Sequence, residues 1–306
     1  MNILKQKLLK NKKLIKIFQL IITIILFYIL FTFIDFEKLK LIIKKANIYY
    51  IIIWMSLYIP WIIISSYKWK TSIKSITNED FKILSLIKYY WIWNFISNFL
   101  PSSIWWDSYR YYEIRKKIKN KRDSFNSIFF ERVTWIISLS IINIILFVVF
   151  YKEFFFSKNL LYFIPLILST FILLLLIFKN SIKRMIKIKK IINFLNKIKY
   201  NNNIFFLLLL SVVFLVISTL MIKFYLLAFG IDYINILYLM LLISSSNLIW
   251  MIPISLNSIW LSESVWVVYL SLVWVPIEIW ILTAITWRVA LILMTSFWGL
   301  LLLKKE

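Results

Sequence analysis

The chain has 306 residues, 62% of them hydrophobic and only 16% charged, against roughly 45–50% and about 25% in soluble domains. It carries 37 Lys and Arg against 13 Asp and Glu, a net charge of +24. In so apolar a chain the surplus belongs to loops facing anionic lipid, so no nucleic-acid partner is expected. With no Cys and no His, disulfides, thiolate metal sites, imidazole acid–base chemistry and His-ligated zinc are excluded, and no cofactor is expected.

Apolar runs follow one another at 17–34, 48–66, 83–105, 125–149, 159–178, 204–228, 233–250, 259–275 and 278–303. About 20 helical residues cross roughly 30 Å of hydrocarbon. The runs are continuous rather than alternating, which excludes a β-barrel. The expected fold is an all-α polytopic membrane protein, one integral membrane domain over 1–306. The first run is long enough to span and no small-residue cleavage site follows it, so no cleavable signal peptide is expected.

Two runs do not read as simple spans. The first, 83–105, carries Lys88 and ends in Asn98-Phe-Leu-Pro-Ser-Ser; the second opens with Met251-Ile-Pro-Ile-Ser-Leu-Asn-Ser. Pro removes a backbone donor and breaks a helix, and neighbouring Ser and Asn offer the freed groups local partners. If all nine runs span, the loop cations divide 12 to 21. If 83–105 enters and leaves on one side, they divide 27 to 6. The sharper division predicts eight spans, re-entrant elements near 83–105 and 251–263, and both termini cytoplasmic in a bacterial-type inner membrane. Each broken element reads Pro, Ser, Ile-Trp, then an acid: Pro101 to Asp107, and Pro253 through Ser255 and Trp260 to Glu263. Paired Pro-interrupted segments in separate halves predict an inverted repeat and a transporter-type site.

These residues resemble the lysylphosphatidylglycerol synthase transmembrane-region family, also called flippase-like. Asn98-Phe-Leu-Pro-Ser-Ser-Ile-Trp-Trp-Asp-Ser-Tyr-Arg110 is similar to its Asn-x-Leu-Pro-x-x-x-Gly-Gly-Asp-x-x-Arg. Glu131-Arg132-Val-Thr-Trp135 resembles Glu/Asp-Arg-x-x-Gly, and Leu227-Ala-Phe-Gly230 fits a Leu-Gly motif. Pro253-Ile-Ser-Leu-Asn-Ser-Ile-Trp-Leu-Ser-Glu263 resembles Pro-x-Ser-x-x-Gly-x-Gly-x-x-Glu, and Leu272-Val-Trp-Val-Pro276 resembles Leu-x-Gly-x-Pro. Arg288 falls in the last run, where the family often has Arg.

The departures are systematic. Trp105, Trp106, Trp135, Trp260 and Trp274 stand where the family has Gly. The chain has 2 Gly and 15 Trp, where about 7% Gly would give roughly 21. UGA is read as glycine in some bacterial lineages, and a translation reading it as tryptophan would print this pattern. The expectation is that most of these Trp are glycine in the native organism. In a structure built on the printed sequence, several indoles should face lipid or crowd the central groove. Trp69, in Tyr-Lys-Trp-Lys, fits a genuine interfacial belt.

Ionisable groups within hydrocarbon cost about 2.5–3.5 kcal/mol on insertion scales and are functional candidates by default. Here they are Lys88, Asp107, Arg110, Glu131, Arg132, Lys223, Glu263 and Arg288. Lys88 and Lys223 are expected to snorkel to an interface. In a chain with 31 Lys and 6 Arg, Arg110, Arg132 and Arg288 stand out, because Arg clamps phosphate through two parallel hydrogen bonds. Asp107, Glu131 and Glu263 would balance their charge. No phosphate loop, metal cluster or nucleophile triad is present, so no catalytic residue is assigned. The resemblance implies a lipid translocase for a phospholipid, an aminoacyl-phospholipid or a polyprenyl-phosphate-linked lipid, with membrane lipid as partner and a separately encoded aminoacyltransferase or glycosyltransferase beside it. Alternatives are a membrane-embedded glycosyl or aminoacyl transferase component, or a non-catalytic scaffold for a separate synthase.

Overall fold

The computed structural model describes residues 44–97, 103–152 and 203–250 apart from 78 and 119, with scattered positions within 37–41, 166–170, 266–279 and 293–296. Every regular element among them is a helix: α1 (Ile48–Ser56), α2 (Tyr58–Thr77), α3 (Ile83–Ser97), α4 (Ser103–Arg115), α5 (Lys121–Val149), α6 (Asn203–Ala228) and α7 (Ile236–Trp250). Asparagine starts three of them. The side chains of Asn47, Asn120 and Asn235 accept the backbone N–H two residues on, at 3.0, 3.0 and 2.9 Å, each satisfying a donor that the first turn leaves free. Asp123 adds a carboxylate at the N-terminus of α5, where the helix dipole favours it.

Among the described residues three stretches are long and apolar enough to cross a membrane: Ile48–Thr77, which joins α1 and α2 through Leu57, then Lys121–Val149 and Asn203–Ala228. The 26 residues of α6 reach about 39 Å at 1.5 Å per residue. α6 packs against α1, α2, α5 and α7; α5 packs against α2, α4, α6 and α7; α3 lies between α2 and α4. One apolar core joins α5, α6 and α7 through Leu139, Leu215 and Leu242. Another joins α2, α3 and α6 through Ile62, Leu86 and Tyr225.

The helices run further than the apolar runs. The segments 67–82 and 106–124 lie between the apolar runs and read as loops, yet α2 continues to Thr77 and α4 to Arg115. The reason is packing: Lys68, Trp69, Ser72 and Ile73 on α2, and Arg110, Glu113 and Ile114 on α4, are all buried. Lys223, expected to snorkel, reaches past the end of its helix. Its ammonium donates to the carbonyls of Asp232 at 2.6 Å and Ile234 at 3.0 Å, tying α6 to the turn that follows it.

A neutral polar seam crosses the α5–α7 contact. The Asn143 amide donates to Ser244 Oγ at 3.1 Å and Ser245 Oγ at 2.8 Å, and its carbonyl oxygen accepts from Ser169 Oγ at 3.1 Å. Ser245 Oγ also lies 3.0 Å from Tyr269 Oη. Interhelical hydrogen bonds of this type hold helices together where apolar contact alone gives no preference over lipid.

Two helix ends close alike. After α6 the N–H of Ile231 bonds the carbonyl of Leu226 at 3.0 Å, and Gly230 between them has φ 78°. After the helical turn at 269–270 the N–H of Val275 bonds the carbonyl of Leu270 at 3.2 Å, and Trp274 has φ 59°. Both are the six-residue closure whose fifth position is left-handed and normally glycine. Among the described residues Trp274 is the one non-glycine with positive φ. Its side chain is 88% exposed.

Candidate functional site

Four charged side chains meet where α4 packs on α5. The i, i+3 spacing puts Asp107 and Arg110 on one face of α4, and Arg110 Nη1 donates to Asp107 Oδ1 at 3.1 Å. The Arg110 Nη2 group donates to Glu131 Oε2. Arg132, next to Glu131 on α5, closes on Asp107 with a two-pronged grip: Nε to Oδ2 at 3.1 Å and Nη2 to Oδ1 at 3.2 Å. From α3, Tyr90 donates its hydroxyl to Glu131 Oε1 at 2.8 Å. Arginine suits this position because its planar fork meets two carboxylates at fixed angles, which an ammonium cannot do.

Aromatic rings wall the cluster. The Arg110 guanidinium carbon lies 4.3 Å from the Trp69 ring centroid, 4.4 Å from Tyr90 and 5.6 Å from Trp93. Arg110 is 0% exposed. Its Nε has no acceptor among the described residues. Lys68, 3% exposed on α2, adds a third cation. Its ammonium stands 4.9 Å from the Phe214 ring and 5.6 Å from the Trp135 ring, with no carboxylate in reach among the described residues. Three cations therefore face two carboxylates, and one positive charge is left over in an apolar bundle. A buried ion pair is tolerated only when geometry and further hydrogen bonds offset its desolvation; here, among the described residues, Lys68 makes no salt bridge, and ring faces together with the more distant charge of Glu131 offset its ammonium.

A family model, the lysylphosphatidylglycerol synthase TM region, matches residues 16–299. The chain belongs to this family. It is a membrane protein of a family associated with lipid-related functions. No curated protein and no solved structure matches the chain. The lysylphosphatidylglycerol synthase TM region therefore covers both motifs that build the cluster: the one ending in Asp107 and Arg110, and the one beginning with Glu131 and Arg132. Those four residues meet, although 21 positions separate Arg110 from Glu131. Trp105 and Trp106 fall in the first turn of α4. Pro101, Pro253, Ser255, Trp260, Glu263 and Arg288 lie outside the described residues, and with them the second broken element.

Four members of the site were not read from the sequence. Lys68 stands at the end of an apolar run and counts there as a loop cation. Tyr90 and Trp93 are two aromatics among many. Trp69 was expected at an interface but is fully buried against Arg110, because α2 continues past it into the bundle. Of the five tryptophans at family glycine positions, Trp274 is exposed and Trp135 is buried at 6% exposure near Lys68 and Arg132; the side chains of Trp105, Trp106 and Trp260 lie outside the described residues.

Proposed function

We propose that this protein is a lipid translocase, a flippase-like member of its family, with one integral membrane domain spanning a bacterial-type inner membrane about eight times. One re-entrant element lies near 83–105, a second one near 251–263, and both termini are cytoplasmic. The observation that carries the reading is the buried charge cluster with its surplus cation. In a bundle of apolar helices such a site favours an anionic group, and phosphate is the anion that membrane lipids supply. Arg132 and Arg110 recruit the lipid phosphate together with Arg288. Asp107, Glu131 and Glu263 hold the empty site neutral enough to persist. The lipid is a phospholipid, an aminoacyl-phospholipid or a polyprenyl-phosphate-linked lipid delivered by a separately encoded transferase.

Glycine at most printed tryptophans belongs to the same reading. The matched helix closures at Gly230 and Trp274 support it, since a left-handed residue with a Cβ costs about 1–2 kcal/mol. The indole N–H of Trp135 supports it too, being buried with no acceptor among the described residues. UGA codons at these positions and glycine in native peptides are the expected findings; UGG codons would end it.

Transport tests the translocase directly. In vesicles holding a chain with glycine at 105, 106, 135, 260 and 274, Arg110→Lys should slow movement of a headgroup-labelled phospholipid by roughly tenfold or more, as a charged hydrogen bond is worth about 1.5–3 kcal/mol. Lys116→Ala removes an exposed cation paired to Glu113 at 2.8 Å and should leave the rate within about twofold. Equal rates for both variants would reject Arg110 as part of the lipid site.

A further inference from the structure

We propose that the space filled by the Trp135 indole is an anion pocket, and that Lys68 and Arg132 are its two cationic walls. The inference rests on the translocase reading for the source of the anion but on separate geometry for its place. Both cations approach the same indole: Lys68 Nζ lies 5.6 Å from its ring centroid, and the Arg132 guanidinium carbon also 5.6 Å. Arg132 keeps its fork on Asp107, whereas Lys68 has no carboxylate in reach among the described residues. The indole N–H, buried at 6% residue exposure, finds no acceptor there either.

Each of these is what a filled pocket would show. A ring face gives a cation partial compensation, weaker than an anion would give. The indole offers a donor where the surrounding groups are already donors. Position 135 closes the motif Glu131-Arg132-Val-Thr-Trp135, and a residue without a side chain there would open the wall of α5 toward α2. The ring of Phe214 on α6, 6.2 Å from the indole centroid and at 87° to it, would form the apolar floor. The volume vacated is that of an indole, larger than a phosphate group. The charge also fits: one surplus positive charge matches one negative charge, that of a phosphodiester.

Lys68 is then the specificity residue of the pocket. It reaches from α2, while the arginines come from α4 and α5, so it can bind the anion without breaking the Arg110–Glu131 and Arg132–Asp107 pairs. Arg110 and Arg132 face the ligand while keeping their carboxylates, and Lys68, with no salt bridge among the described residues, closes on it.

The test is binding in detergent, using the full chain and its Trp135→Gly variant, each alone and with Lys68→Gln. Two probes are titrated separately: inorganic phosphate, and a short-chain phosphatidylglycerol below its micellar concentration. Trp135→Gly should bind at least one probe tenfold or more tighter than the parent chain, and Lys68→Gln in that background should remove the gain while Lys68→Arg restores it. Binding of the lipid probe alone assigns the pocket to a headgroup; binding of inorganic phosphate alone assigns it to a soluble anion; both support the pocket. No gain over the parent, or a gain indifferent to Lys68, would overturn it. Trp274→Gly, which removes an exposed indole, should bind like the parent, and the same gain there would also count against the pocket. If Trp135→Gly fails to fold, Trp135→Ala takes its place, and unfolding of both would overturn the proposal because the indole would then be core. Failure of binding with transport still dependent on Arg110 rejects the pocket alone; binding without transport rejects the translocase and keeps the pocket.

Discussion

Helix α5 carries two polar regions about 18 Å apart, one at Glu131 and Arg132 and one at Asn143, twelve residues on at 1.5 Å each. They are built on opposite principles. At Asn143 both amide hydrogens and the carbonyl oxygen have partners, all neutral, from α7 and Ser169. At Glu131 the pairs are ionic and incomplete: Arg110 Nε lacks an acceptor, Lys68 lacks a carboxylate, and three indole N–H groups lack partners among the described residues. A closed neutral network does one thing well, which is to fix the register of two helices. An open charged one holds interactions in reserve for a ligand. The contrast separates brace from site without reference to the family.

The largest expected effect lies on the charged side. Glu131→Ala removes the acceptor of both Arg110 and Tyr90 and leaves a guanidinium buried beside one carboxylate. Breaking a buried pair from one side costs about 3–5 kcal/mol, so the unfolding midpoint of the detergent-solubilised protein should fall steeply. A loss below about 1 kcal/mol would mean that the cluster is hydrated and that its burial carries no energetic weight.

Asn143→Leu should be milder. It removes three hydrogen bonds but puts an apolar side chain of similar size among apolar helices, and polar interhelical contacts in membranes are worth about 1–2 kcal/mol at most in model helices. The same unfolding assay reads it. A loss as large as that of Glu131→Ala would erase the distinction between the two regions.

How much of this contrast was legible in the sequence differs for its two halves. Asp107, Arg110, Glu131 and Arg132 stood out because a charge in an apolar run is rare and costly, and the i, i+3 spacing of Asp107 and Arg110 already implied a shared face. Lys68 did not, because a lysine at the end of an apolar run looks the same whether the helix stops there or continues for nine residues. Ser244 and Ser245 were passed over for a different reason. In a membrane helix every face is apolar, so hydropathy loses the periodicity that marks a buried side in a soluble helix. What meets α5 depends on packing between segments a hundred residues apart, which local pattern does not encode. The helical class and the three described spans were legible for the converse reason, since hydropathy along the chain is all that a lipid solvent demands.

The smallest effect concerns backbone alone. Trp274→Gly relieves a left-handed residue of its Cβ and should stabilise the fold by about 1 kcal/mol. It should leave both polar regions untouched, since the indole is exposed. Destabilisation would argue that tryptophan belongs there.

The central claim, that the charged region is the lipid site and the neutral one is not, is tested most directly by phospholipid movement in vesicles. The comparison sets Arg132→Gln against Asn143→Leu, both in the chain with glycine at 105, 106, 135, 260 and 274. The account predicts that Arg132→Gln lowers the rate roughly tenfold or more, by loss of a charged interaction worth about 1.5–3 kcal/mol, while Asn143→Leu stays within about twofold once corrected for folded protein. Equal rates in the two variants, or a larger loss at Asn143, would contradict it.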